Sequence, residues 1–555
     1  MAGDERFLLH RGLIAFCAAG AMVEAGILTV IAPAARPLAP QVTALPPFAV
    51  FHDLRWLFGY NRSWLEFAGG AVILILARSA VSTTLVRLAW PAYLPAPRLL
   101  ATFRASLVFT LLAAVIMVPV ATLVFGVALL PFSWPFLAAV PVMLAIVLPL
   151  SHGGVIPAWW RKVPPARVAW WALLCFLEYS LAGVVIARLP AAAVVPVAGL
   201  AGVINARAWY GLAMAVTRPA RFRPHPLVAW IPIAPLAAVS VFALAVGTTR
   251  LIFDATTTRP RTGFAAISAA SASAGLAAAA SAAAARPARG LRGPAVLVIA
   301  GFGSSCCHKS HSLQQAAPGF NVQQFSYRGL DAAGRPIPHG PSASNLPLPV
   351  LGDRIAEQVE RLHRQTGKLV DLVAESEGTL GVYAMFARHP DAPVSSVVLL
   401  SPIVAPGQVS FPAAGRQGPG MVSGYALREL NRFVGGLSPF GSSGAQQLID
   451  SVSRVGARYA ASVTRVRSVR WLGLVPLADA LTLPACAMPP NVLFVPAFHG
   501  GLLGEPAVLR MVRDFLAGHR VTGPPGLREA AEILSSAAAP WRMPELSAPS
   551  PPCPA

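Results

Sequence analysis

Gly367-Lys-Leu-Val-Asp-Leu-Val-Ala374 runs directly into Glu375-Ser376-Glu377-Gly378 and then into Thr379–His389. The first stretch has the length and apolar content of a short buried strand, and the last reads as an amphipathic helix. The residues between them must turn a strand into a helix within a few positions, which lifts the hydroxyl of Ser376 above the sheet edge. Strand and helix backbones nearly touch at such a corner, so small residues are needed two before and two after the serine. Gly378 meets that demand, and Ala374 adds a methyl group where Gly is usual. The same loose pattern recurs at Ser271-Ala-Ser273-Ala-Gly275, but inside an Ala/Ser run where no strand is expected.

The residues downstream of Ser376 separate the two matches. Val469-Arg-Trp-Leu-Gly-Leu-Val-Pro476 reads as a strand with Asp479 just past its end. Asn491-Val-Leu-Phe-Val-Pro496 reads as another, leading to Phe498-His499-Gly500-Gly501 and a final helix from Pro506 to Ala517. Upstream, Ala295-Val-Leu-Val-Ile-Ala300 is strand-like and ends in Gly301-Phe302-Gly303-Ser304, and Leu351–Gln365 reads as the helix before the corner. On these residues the stretch from about Pro294 to Gly518 resembles the α/β-hydrolase superfamily of the serine esterase and lipase kind, in which nucleophile, acid and histidine occur in that order. The resemblance implies a mostly parallel sheet, with Ser376, Asp479 and His499 as catalytic triad. The amides of Phe302 or Gly303 and of Glu377 would form the oxyanion hole. It implies no cofactor and no metal. The charges of Glu375 and Glu377 beside the serine read as a solvated face, or as groups that repel anionic substrates or orient a hydroxyl acceptor.

Composition constrains the rest of the chain. At 555 residues it is long enough for two or more domains. A mean hydropathy of +0.60 with 12% charged residues is too apolar for one soluble globule and implies membrane spans. The net charge of +21 comes almost wholly from Arg, with lysine only at Lys162, Lys309 and Lys368. These charges are dispersed or flank apolar runs and form no stripe with interleaved aromatics, which excludes a nucleic-acid surface.

Residues 1–254 hold candidate spans at Gly12–Ala34, Phe67–Val86, Leu107–Leu130, Pro135–Leu150, Val168–Ile186, Ala191–Ile204 and Leu227–Val246. Most are near the ~20 residues that cross hydrocarbon, though Ala191–Ile204 is short. Arg and Lys collect in alternate loops: Arg87, Arg98 and Arg104; Arg161, Lys162 and Arg167; Arg207, Arg218, Arg221 and Arg223. The opposite set is Arg36, Arg55, Arg62 and Arg188, most of them in one longer loop. That bias sets the N-terminus inside and, with seven spans, everything after Val246 outside; were Ala191–Ile204 not to span, the hydrolase-like region would face the cytoplasm, but Arg218, Arg221 and Arg223 would then break the charge pattern. Glu24, Arg78 and Glu178 fall within apolar runs and read as a structural pair of Arg78 with one of the glutamates, as a proton or ion path, or as a polar groove for a lipid headgroup.

Residues 255–293 are an Ala/Ser/Arg-rich tether, and 294–520 form the hydrolase-like domain with a helical cap insertion at 402–467. The Pro-rich end, 521–555, reads as disordered. Cys306-Cys307-His308-Lys309-Ser310-His311 matches no common zinc spacing. An outward location favours disulfides there, with Cys486 the partner of one of the pair, or a vicinal Cys306–Cys307 bond. The expectation is therefore a multi-pass cell-membrane protein displaying a serine hydrolase on the outer face. Its partner would be a small-molecule or lipid ester, and its oligomeric state is open. Alternatives are acyl transfer by the same triad, a non-catalytic hydrolase-like module, and an accessory to transport by the membrane half.

Overall fold

The computed structural model describes residues 2–126, 165–217, 293–307, 312–402, 421–422, 425, 446–451, 469–478 and 490–541. Six short strands form one sheet: β1 Ala295–Ile299, β2 Asn321–Gln324, β3 Val370–Glu375, β4 Val394–Leu400, β5 Arg470–Ala478 and β6 Val492–Phe498. All pair in parallel, in the order β2-β1-β3-β4-β5-β6. β1 and β3 are buried at every position, the mark of a parallel sheet covered on both faces.

Alternation along the strands decides which residue meets which helix layer. Leu297, Ile299, Leu372 and Ala374 face Leu351, Ile355, Val359 and Leu380. The helices are numbered in chain order. Those residues lie on α8 (Leu348–Thr366) and α9 (Glu377–Arg388). On the other face Val296, Val298, Val373 and Leu474 pack with Leu313 of α7 (Ser312–Ala316) and with Val508 and Val512 of α11 (Pro506–Leu516). Each such side chain contributes about 1.5–3 kcal/mol. The result is an α/β/α sandwich. β1 has β2 on one side and β3 on the other, so the winding reverses between β1 and β3, where open α/β sheets leave a crevice at the strand C-termini.

The N-terminal region is helical: α1 Ala2–Ile31, α2 Pro46–Tyr60, α3 Trp64–Ala89, α4 Leu99–Gly126, α5 Pro165–Arg188 and α6 Ala191–Thr217. Ser63 caps α3 by accepting the Glu66 amide, and the Glu66 carboxylate accepts the amide of Arg62. Among the described residues Arg11–Ile31, Trp64–Ala89 and Ala191–Ala215 are long and apolar enough to cross a membrane, and Leu99–Val115 is a shorter apolar stretch. The span expected to be short, Ala191–Ile204, is thus part of a longer helix, because Asn205 and Arg207 continue it without a break. Expected spans Pro135–Leu150 and Leu227–Val246, and the 255–293 tether apart from Gly293, lie outside the described residues.

The loop expected between the first two spans is instead a 3-10 segment, Pro33–Thr43, and then α2, both packed into the bundle. Its polar groups find partners there. Arg78 donates to Asp53 through Nε and Nη2, each at 2.6 Å, and to the Val42 carbonyl through Nη1. His52 bridges Asp53 and Glu24, the latter at 2.7 Å. Arg78 therefore pairs with Asp53 of α2, not with a glutamate of the spans. Glu178 has no hydrogen-bond partner on either oxygen among the described residues.

The expectation of a disordered tail is corrected for its first part. Leu527–Ala538 is a helix, α12, whose Ala531 packs against Val492 and Phe494 of the sheet. Pro540 then accepts hydrogen bonds from Gln41 and Arg55, and the Trp541 indole stacks on Phe176 and donates to Ser180. Large apolar residues are few in 521–555, but two aromatic faces and a buried guanidinium are enough to dock this end. Of the insertion expected as a cap, Met421 and Val422 are buried with bundle residues, and the Tyr425 ring lies 5.9 Å from that of Trp64. The Gln446–Ser451 helix, α10, seats Ser451 on the Leu348 amide. The other residues of 403–467 lie outside the described residues.

Candidate active site

Ser376 stands between the last residue of β3 and the first of α9, with φ 53° and ψ −116°. A non-glycine residue there costs about 1–3 kcal/mol and persists only where its surroundings hold it. The Ser376 amide donates to Leu400 of β4, while its carbonyl accepts from both the amide and the hydroxyl of Thr379. The small-residue demand is met closely. A Cβ on Gly378 would lie 2.7 Å from the Ile299 carbonyl oxygen, and one on Gly301 would lie 3.0 Å from the Ser376 Cβ. The methyl group of Ala374 is accommodated in the core.

His499 comes directly after β6, two strands beyond β4, yet its Nε2 lies 2.7 Å from Ser376 Oγ. Gly500 and Gly501, at φ 76° and 104°, turn the chain directly after the histidine. Glu375 holds that turn: its Oε1 accepts the amides of Gly501 at 2.8 Å and Leu502 at 2.7 Å. Burial pushes the Glu375 carboxyl above the usual carboxylate range, and these amides pull it back in part. Asp479 stands one position past the end of β5, outside the described residues.

Of the expected oxyanion donors, Glu377 opens α9, where a helix N–H has no partner inside the helix. The amide of Gly303 donates to Ser344 Oγ at 2.9 Å, so it competes with any oxyanion role. Phe302, between Gly301 and Gly303, is half-buried.

The solvated-face reading of the two glutamates is overturned. Glu377 is 2% exposed. Tyr327, which belongs to no motif in the sequence, donates its single proton to the Ala300 carbonyl at 2.6 Å and lies 3.4 Å from Glu377 Oε2. Glu377 Oε1 has no hydrogen-bond partner among the described residues, and burial raises its carboxyl well above the ordinary range. A protonated Glu377 can donate to the phenol oxygen, whereas an ionised one would be an uncompensated buried charge.

The folded chain therefore keeps a proton that the unfolded chain loses at ordinary carboxylate pH. The stability from it is complete at low pH and falls as pH rises from the unfolded toward the raised folded pKa. Glu377→Gln is expected to flatten that fall, read as a smaller difference in Tm between about pH 5 and about pH 8. An unchanged slope would mean that Glu377 is already ionised in the fold.

Cys306 and Cys307 are bonded to each other, so neither is available to Cys486, which lies outside the described residues. The long-range pairing is corrected on that ground: adjacency brings the two sulfurs together with no help from the fold. His308 to His311 and the Ser273 match also fall outside the described residues. No protein-family model matches the chain, and no curated protein matches it.

Proposed function

We propose that the α/β region is a serine hydrolase of the α/β-hydrolase kind, cleaving carboxylic esters through an acyl-enzyme. The observation that carries the reading is the 2.7 Å contact between Ser376 Oγ and His499 Nε2 at a strained strand-to-helix corner. In it Ser376 attacks the acyl carbon while His499 takes the hydroxyl proton and passes it to the departing alcohol. Asp479, at the end of the strand beside the one bearing His499, orients the imidazole. The amides of Glu377 and Phe302 receive the oxyanion, each contributing on the order of 3 kcal/mol to barrier lowering. Water then enters, activated by the same histidine, and releases the acid.

The test is turnover of short- and long-chain 4-nitrophenyl esters by the full chain in neutral detergent, with products analysed with and without an added alcohol. Free acid as the main product in both supports hydrolysis. Acyl transfer to the alcohol in preference to the roughly 55 M water of the solvent would move the assignment to acyltransferase. No release from any ester would count against both.

The domain is proposed to face outward. Two features, taken together, support this. Arg-rich loops set the N-terminus inside. In the fold Gly12 lies beside Leu88, so α1 and α3 run antiparallel and Trp64, against Tyr425 of the insertion, sits at the end opposite the N-terminus. Protease added to intact cells is expected to cut near Arg286–Arg292. Cleavage only after lysis would reverse the topology.

A further inference from the structure

A cavity of about 750 Å³ lies on the β2 flank of the proposed nucleophile. Tyr327 forms its inner wall and, through its hydroxyl, is tied to Ala300, which leads into the oxyanion loop, and to Glu377 next to Ser376. Ser342 and Asn345 line another side, flanking the Ser344 hydroxyl that receives the Gly303 amide. Tyr327 and the Ser342–Asn345 turn thus connect the cavity wall to the loop that packs beside the serine.

The charges around this cavity are of one sign. Arg328 and Arg354 line it beside the His339 ring, and among the described residues no aspartate or glutamate does. Among the described residues neither arginine has a carboxylate at ion-pair distance, whereas Arg335, Arg388 and Arg513 are each paired with one. The nearest acid in sequence, Asp331, is held by Arg335 and by the amides of Ala333 and Arg335. Arg354 donates to the Tyr327 carbonyl, which fixes its guanidinium at the wall. Arg328 is exposed at the rim. Two guanidinium groups brought to one cavity without a counter-charge repel each other, and a planar fork of N–H donors matches the oxygens of a carboxylate or phosphate.

We propose that this cavity is an anion subsite: the preferred ester carries a carboxylate or phosphate that Arg328 and Arg354 receive while Ser376 attacks the acyl carbon. The inference rests on the hydrolase reading for its role in turnover, though not for binding.

Full-length protein in neutral detergent is assayed on 4-nitrophenyl hemisuccinate and 4-nitrophenyl butyrate, normalised to the fraction that a fluorophosphonate labels. Arg328→Glu should lower kcat/KM for the hemisuccinate on the order of tenfold to a hundredfold more than for the butyrate, mainly through KM. A lipid arm compares phosphatidylglycerol with diacylglycerol, which carries no phosphate, in mixed micelles. A selective loss in the first arm assigns the anion to soluble substrates, and a loss confined to the second assigns it to a lipid headgroup. Equal losses on charged and neutral substrates in both arms overturn the subsite. Should the wild type turn over neither ester and take no label, the hydrolase reading fails separately. Calorimetric titration with inorganic phosphate then decides: binding weakened by Arg328→Glu supports the subsite, and equal or absent binding rejects it. Arg328→Gln carries the same comparisons if the charge reversal does not fold.

Discussion

A fluorophosphonate is expected to label the wild-type chain once, at Ser376, and to leave Ser376→Ala unlabelled. The serine oxygen must lose its proton as it attacks phosphorus and expels fluoride, and the only base shown at hydrogen-bond distance is His499 Nε2, at 2.7 Å. Ser376→Ala and His499→Ala should therefore each lower ester turnover on the order of 10⁴-fold or more. The double variant should be little worse than either one, because the two groups act as a unit. The strained corner leaves little room for compensation. At φ 53° the backbone aims one side chain out of the sheet, and Gly301 and Gly378 pack so closely around it that neighbouring chain cannot shift to offer another nucleophile. Equal labelling of wild type and Ser376→Ala would sink the assignment. Labelling that survives His499→Ala at the wild-type rate would leave Ser376 as nucleophile and remove the histidine from its role.

Asp479→Asn should cost about 10⁴-fold in turnover, since an amide there favours the wrong imidazole tautomer and cannot stabilise the imidazolium. The contrast that makes this decisive is Glu375→Gln. Glu375 is the acid nearest the histidine loop among the described residues, but its Oε1 is engaged by the amides of Gly501 and Leu502. A glutamine oxygen can still accept both, so this variant should lose about tenfold or less, the difference between a charged and a neutral acceptor. Glu375→Ala, which removes the acceptor, should be worse than Glu375→Gln, with the loss in kcat as His499 drifts from the serine. Turnover in the two conservative variants, measured at one pH on one ester, separates the roles. A severe Glu375→Gln and a mild Asp479→Asn would transfer the orienting role to Glu375.

How far the chain could be read without its fold depends on the range over which each interaction acts. The strand, corner and helix around Ser376 were legible because every constraint there is local. A buried strand needs an unbroken apolar run, the corner needs small residues at fixed offsets, and the helix needs its own period. The apolar N-terminal half was legible for a similar reason, since crossing hydrocarbon is a demand on composition and length. Glu375 and Glu377 were misjudged because burial is not a local property. Glu375 is covered by a loop 126 positions away. Glu377 is enclosed by Tyr327, 50 positions before it, a pairing that no local pattern announces. The partner of Arg78 was missed because the stretch that supplies Asp53 has no long apolar run, and only packing turns it into a helix inside the bundle. The docking of Pro540 and Trp541 is likewise a contact over several hundred residues, made by a segment whose own composition resembles a disordered tail. Sequence alone thus determined the elements and the chemical types at the corner, because chain connectivity enforces both. Which charges lose their water, and which partners they find in exchange, was decided only when the sheet and the bundle closed around them.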